Sequence, residues 1–228
     1  MTKLSRSKLE LFLTCPRCFW LDMNKGIKRP PPAPYTINSA IDALLKKEFD
    51  IHRENGTAHY LIEKYNIKAI PYKCKEINSW RHNFTGVQFK HEETDFLVYG
   101  AVDDVWVNPQ GELIVVDYKA TGANEYRIYD SYRRQMEIYQ WLLLQNKYKV
   151  SRTGYFLFAK VDKESGFGSG KLSFNLFLEP LEADTSWVEN SIIEARKTIE
   201  GALPAHKEGC LYCQFAIGAS LPVSRGNL

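Results

Sequence analysis

The stretch GAVDDVWVNPQGELIVVDYKA, residues 100–120, decides the fold. Two runs rich in valine, isoleucine and aromatic residues flank the turn NPQG, residues 108–111. Proline suits the second position of a type I turn, and glycine suits a left-handed residue after it. That is the chemistry of a three-residue hairpin loop closed by a bulge. Asn108 then pairs with Glu112, and counting outward sets Asp103 opposite Asp117 and Ala101 opposite Lys119. Side chains alternate along a strand, so Asp117 and Lys119 share a face. Directly opposed side chains have Cβ atoms about 5 Å apart, so the two carboxylates converge. A two-residue loop would slip the register by one and turn Asp103 to the other face.

A greasy strand that ends in charge needs a reason, because an unpaired buried charge costs several kcal/mol. One reading is an ion pair at the strand end, from Lys119 to either aspartate. The other is a cation site. Facing carboxylates repel unless they are protonated or bridged by a cation. Hard oxygen ligands at this spacing suit Mg²⁺ or Mn²⁺. A metal there activates water and stabilises a phosphodiester under attack. Lys119 can orient or deprotonate that water, or neutralise developing charge.

Outward from the hairpin the pattern is mixed. LSRSKLELFL (4–13) reads as a short helix with Ser5 as its N-cap, broken at Pro16. KRPPPAP (28–34) is a stiff connector. NSAIDALLKKEFDIHRE (38–54) is an amphipathic helix burying Ile41, Leu44, Leu45 and Phe49. Residues 55–93 carry no decisive pattern. DFLVYGAVDDVWVN (95–108) reads as one strand and ELIVVDYKA (112–120) as the next. A helix capped by Asp130 follows (130–146), then strands at 153–161 and 171–179 and a last helix from Ser186 to Gly201. The order predicts an α/β or α+β domain around a mixed sheet. The 228 residues, 44% hydrophobic and 25% charged, suffice for one domain spanning 1–228. No apolar run reaches membrane-spanning length and no leader pattern opens the chain, so a cytoplasmic protein is expected. The net charge of +3 is compatible with a nucleic-acid partner without arguing for one.

GAVDDV followed by VVDYK resembles the core of the PD-(D/E)XK nucleases, and is most similar to the RecB-type branch. QMEIY on the next helix, Gln135 to Tyr139, matches the Gln-x-x-x-Tyr motif of that branch. Residues four apart share a helix face. The resemblance implies a restriction-endonuclease-like mixed central sheet flanked by helices. It implies Asp103, Asp117 and the backbone carbonyl of Tyr118 as ligands of Mg²⁺ or Mn²⁺, and Lys119 as the catalytic lysine. Gln135 and Tyr139 would support that lysine and touch nucleic acid. The branch usually offers a first-helix histidine to the metal. Asp42 stands at the comparable place here, with Glu48 and Asp50 as alternatives on the same helix and His52 and His59 nearby.

Four of the five cysteines form two CxxC pairs, Cys15 with Cys18 and Cys210 with Cys213. In a reducing compartment such pairs read as metal ligands, zinc or an iron–sulfur cluster. Residues 1–30 and 201–219 would then form one cysteine-clipped subregion. CRISPR-associated adaptation nucleases and AddB-type helicase–nucleases carry a 4Fe-4S cluster on one N-terminal and three C-terminal cysteines. The resemblance therefore implies 4Fe-4S here, Cys18 supplying the fourth ligand, with Zn²⁺ as the alternative. It also implies a DNA substrate, single-stranded or duplex ends, a role in DNA repair or CRISPR adaptation, and a helicase or a CRISPR adaptation protein as partner. Scattered basic residues, from Lys3 and Arg6 to Arg127, Arg133 and Arg134, can line a phosphate path. Trp20, Tyr35 and Trp80 are candidate stacking platforms. The rival reading is a weak or inactive nuclease-fold module that binds nucleic acid or a protein.

Overall fold

The computed structural model describes residues 1–31 and 36–220. The end of the 28–34 connector and Tyr35 lie outside the described residues. The chain divides into two compact units, Met1–Arg6 with Ala33–Val188 and Ser7–Pro32 with Glu189–Leu228.

The first unit is built on the hairpin. β5 (Asp104–Val107) and β6 (Leu113–Thr121) are antiparallel, with Val107 opposite Leu113 and Asp104 opposite Val116. The Asn108 N–H donates to the Glu112 carbonyl at 3.1 Å, and Gly111 sits at φ 76°. The three-residue loop and its register are as the turn chemistry requires. The Asn108 side chain closes the loop, accepting from the Gln110 and Glu112 N–H groups. β7 (Thr153–Val161) joins β6 in parallel, and β8 (Phe174–Glu182) is antiparallel to β7. β2 (Ile70–Pro71) lies on the far edge against β5. A second sheet holds β1 (Thr2–Ser5), β4 (Phe96–Gly100) and β3 (Val87–His91) in the order β1-β4-β3, with β1 parallel to β4. Both sheets are mixed and helix-flanked, the α/β arrangement expected of a restriction-endonuclease-like fold.

Several sequence expectations are corrected. The single strand over 95–108 is two strands in different sheets, parted by a bend at 101–103. There the Val102 N–H leaves the ladder and donates to the Trp80 carbonyl. Pro16 does not only end a helix. It follows α1 (Arg6–Thr14) and starts α2 (Pro16–Lys25), where its missing N–H costs nothing. Residues 55–93 hold α4 (Tyr60–Lys64), β2, α5 (Ile77–Trp80) and β3, after α3 (Thr36–Asn55). α6 (Asp130–Gln145) is preceded by Tyr129 as its N-cap, so Asp130 lies in the first turn, not at the cap. There its charge favours the helix dipole.

The two faces of β6 are covered differently. Ile114, Val116 and Tyr118 join Trp106, Leu45, Phe49, Leu61 and Ile62 in one core. Phe49 is fully buried and stacks on Trp106 at 5.6 Å and on His59 at 4.2 Å. Burial of such a ring contributes about 1.5–3 kcal/mol. Leu44, expected in this core, is 63% exposed, because one helical step carries it off the stripe of Leu45 and Phe49. The opposite face of β6 carries Val115 and Asp117 toward α6.

In the second unit α7 (Val188–Glu200) and α8 (Leu211–Ser220) accompany α2. Trp20 Nε1 donates to the Gly201 carbonyl at 3.0 Å, Asn24 to Ile199 and Arg17 to Pro204, so α2 is tied to the end of α7 and the loop after it.

Candidate active site and cysteine cluster

The site residues of the first unit gather where β6 leaves the hairpin. Asp117 is fully buried, and Lys119, on the same face, is 17% exposed and ion-paired with it. Gln135, on α6, links the set: its Nε2 donates to Asp117 Oδ1 at 2.7 Å and lies 3.0 Å from the Tyr139 hydroxyl, while its Oε1 accepts from Lys119 Nζ at 3.2 Å. Gln135 and Tyr139 are one helical turn apart, which lets one amide meet both partners. The Lys119 ammonium also stands 4.5 Å from the centre of the Tyr132 ring.

Asp103 sits on the bend just before β5, and its Oδ2 accepts from the Tyr118 N–H at 2.9 Å. That bond holds Asp103 over the strand carrying Asp117. Tyr118 points its side chain to the other face, where its hydroxyl donates to Asp104 Oδ2 at 2.8 Å. Asp42, on α3, is bonded to Lys46 at 2.8 Å, and the same ammonium lies 3.5 Å from Asp103 Oδ1. Burial and the Asp103 charge push the Asp42 carboxyl up. Of the alternatives, Glu48 binds His59, Asp50 binds Arg53 and Arg81, and His52 contacts Thr57.

Burial pushes Asp117 up to about 6, against the pull of Lys119 and with the Asp103 charge adding to the rise. Lys119 loses solvation on burial, yet Asp117 and Asp103 hold it above its ordinary range, so it is an ammonium at neutral pH. Tyr139 is raised by burial, first of all. Asp42 Oδ1 is buried without a hydrogen-bond partner, whereas Asp117 Oδ2 is the oxygen that the Lys119 ammonium contacts. Asp42, Asp103 and Asp117 together offer carboxylate oxygens of the kind that fits a hard divalent cation. Among the described residues, no three carboxylates close within 4.8 Å of one another.

Sequence reasoning missed the residues that set the bend. Arg81, from the stretch without pattern, donates from Nε to the Asp103 carbonyl at 3.0 Å and from Nη2 to Asp104 Oδ1 at 3.0 Å. Arg53 is 2% exposed and also binds Asp104, which is fully buried. Asp104 had a signal, being adjacent to Asp103 in a run otherwise apolar. The arginines had none, since their partners are distant in sequence. Arg6 lies close enough to Asp117 and Tyr139 to favour negative charge on both. Gly100 also acquires a reason. A Cβ there would stand 2.7 Å from Tyr139 Cε1, so only glycine lets the Tyr139 ring lie against the strand end. Trp80, a proposed stacking platform, is buried against Tyr148, and Trp20 is half-buried.

In the second unit the four cysteines meet. Cys15 Sγ lies 3.6 Å from Cys213 Sγ, and Cys18 Sγ lies 3.8 Å from both Cys210 and Cys213. All four are buried and unbridged, and their sulfurs lie within 4.8 Å of one another. A disulfide would need about 2 Å. The cluster can hold a metal. Beside it opens a cleft of about 720 Å³, lined by Leu21, Ile27, Tyr212 and Phe215 among others.

A family model described as the PD-(D/E)XK nuclease superfamily matches residues 3–217. The chain belongs to that superfamily. Its members are generally nucleases, so nucleic acid is the class of molecule that the superfamily handles. No curated protein matches the sequence. Among solved structures, "Crystal structure of SSO0001" is similar at 13% identity and a TM-score of 0.43, covering 95% of this chain and 85% of that one. Among the described residues no helix is long and apolar enough to cross a membrane.

Proposed function

We propose that the protein is a metal-dependent nuclease of the RecB type that hydrolyses DNA phosphodiester bonds. Asp103, Asp117 and the Tyr118 carbonyl would hold Mg²⁺ or Mn²⁺, with Asp42 as the first-helix ligand. The observation that carries this reading is the bonded set Asp117–Lys119–Gln135–Tyr139 lying beneath Asp103. A bound divalent ion supplies a water of lowered pKa and neutralises charge on the phosphate. Lys119 is held as an ammonium, which suits it to neutralise charge on the pentavalent phosphorus and not to take a proton from water. Gln135 fixes the lysine and one Asp117 oxygen, and a metal would share the second oxygen with the Lys119 ammonium that now contacts it. Attack on phosphorus would release a 3′-oxygen.

Beyond Lys119 the rings of Tyr132 and Tyr129 meet edge to face at 5.2 Å, and Arg127 lies 4.6 Å over Tyr129, which is 47% exposed. An aromatic face with a guanidinium on it suits an unpaired base and its phosphate. A DNA strand leaving the site would run along α6. A helicase or CRISPR adaptation protein as partner, and a role in repair or adaptation, rest on the family resemblance alone.

One observation favours a second reading, a weak or inactive module that binds nucleic acid or a protein. The Lys46 ammonium already neutralises Asp42 and Asp103. Cleavage of end-labelled single- and double-stranded DNA with Mg²⁺ or Mn²⁺ separates the two. The nuclease reading expects cleavage that Lys119→Ala abolishes. Binding of DNA without cleavage under either ion would establish the second.

A further inference from the structure

We propose that the four cysteines bind one tetrahedrally coordinated ion, zinc, in place of the 4Fe-4S cluster that the family resemblance implies, and that Arg29 is the counter-cation of that site. The separations decide between the two groups. With Zn–S bonds of about 2.3 Å, the edges of a tetrahedron of sulfurs are about 3.8 Å. The three closest pairs stand at 3.6, 3.8 and 3.8 Å, and no pair exceeds 4.8 Å. In a 4Fe-4S cube each thiolate binds a different iron, which spreads the sulfurs to roughly 6 Å apart. The chain would have to open every pair to admit the cube.

The local backbone is built for the smaller group. Each CxxC straddles a helix start: Cys15 caps α2, which carries Cys18 in its first turn, and Cys210 precedes α8, which carries Cys213. Gly209, at φ 75°, turns the chain into the second pair. The Cys210 sulfur accepts from the Cys213 N–H, so one sulfur is fixed by the turn that brings in the next. Leu11 packs against the four sulfurs. Such outer bonds orient ligands and hold them against loss.

Charge points to the second half of the proposal. Four thiolates around Zn²⁺ leave a net charge of about −2. Arg29 Nη2 donates to Cys210 Sγ at 3.4 Å, and its guanidinium lies 4.6 Å over the Tyr212 ring, the neighbour of Cys213 on α8. No carboxylate is bonded to it among the described residues. Its buried Nε has no partner, the one feature that an inorganic sulfide would satisfy and a zinc ion would not.

The test uses the full chain purified without oxygen and without added metal. Metal analysis, acid-labile sulfide and X-ray absorption at the zinc edge are expected to give one zinc per chain, a shell of four sulfurs at about 2.3 Å, and no sulfide. Iron with labile sulfide and a brown colour overturns the proposal, as does protein that folds without bound metal. Cysteine variants are not needed, so misfolding cannot obscure the result. Arg29→Gln is expected to speed zinc release to a colorimetric chelator about tenfold or more, with Arg29→Lys restoring most of it. Equal release from wild type and Arg29→Gln overturns the counter-cation role. Both measurements read the cysteine set and stand whether or not the protein cuts DNA.

Discussion

Asp117→Asn is expected to stabilise the protein without Mg²⁺ or Mn²⁺ while destroying its response to them. Asp117 is fully buried and held at about 6, about two units above a free aspartate, which corresponds to about 3 kcal/mol. The sign follows from proton counting. Between about pH 4 and 6 the folded chain keeps a proton on Asp117 that the unfolded chain has released, so stability falls as pH rises. Above about pH 6 the whole cost is present. The attraction of Lys119 is already contained in that shift. Asparagine keeps the shape and the acceptor for Gln135 but carries no charge. Near neutral pH, without added divalent metal, the variant should melt roughly 6 °C or more above wild type. Added Mn²⁺ reverses the ranking. At a thousand times its Kd it stabilises wild type by about 4.1 kcal/mol, and the variant gains nothing. Thermal melts across pH, with and without Mn²⁺, measure all of this. A metal-free variant that melts below wild type, or one that gains as much from Mn²⁺, would mean that Asp117 is neither a buried cost nor a metal ligand.

Removing Asp104 with Asp104→Ala leaves Arg53 and Arg81 without their buried counter-ion, and urea denaturation should show a loss of about 3–5 kcal/mol. Lys46→Met removes the cation between Asp42 and Asp103, so Mn²⁺ titration should show tighter binding, and weaker binding would contradict its role as a stand-in cation. Gly100→Ala drives a methyl into the Tyr139 ring, and DNA cleavage should fall at least tenfold while Mn²⁺ binding persists. Tyr129→Ala should raise KM for single-stranded DNA by a factor expected of about 1–3 kcal/mol, with duplex ends affected less.

The hairpin was legible because its register is local. NPQG specifies a loop, the loop specifies pairing, and pairing brings Asp103 over the strand of Asp117. Gln135 and Tyr139 were legible for the same reason, being one turn apart on a helix. The break at 101–103 was not, because β propensity runs through it and the forces that bend the chain come from Trp80 and Arg81. Those residues lie in the stretch without periodicity, where α5 is four residues long. Leu44 shows the limit of counting apolar residues on a helix, since a neighbour on either side of the buried stripe looks equally apolar. The cysteine spacing pointed to a cluster able to hold a metal but not to its occupant. Choosing between one ion and a cube takes distances between sulfurs that are 198 residues apart in the chain.

Anomalous diffraction at the manganese edge from Mn²⁺-soaked crystals locates the ion directly. If the site binds metal as proposed, a peak is expected bonded to Asp103, Asp117 and the Tyr118 carbonyl, at the Mn–oxygen distances of a hard-ligand site, and it disappears in Asp117→Asn. A map with no manganese between those carboxylates, with Lys46 and Lys119 still paired to them, would contradict that binding.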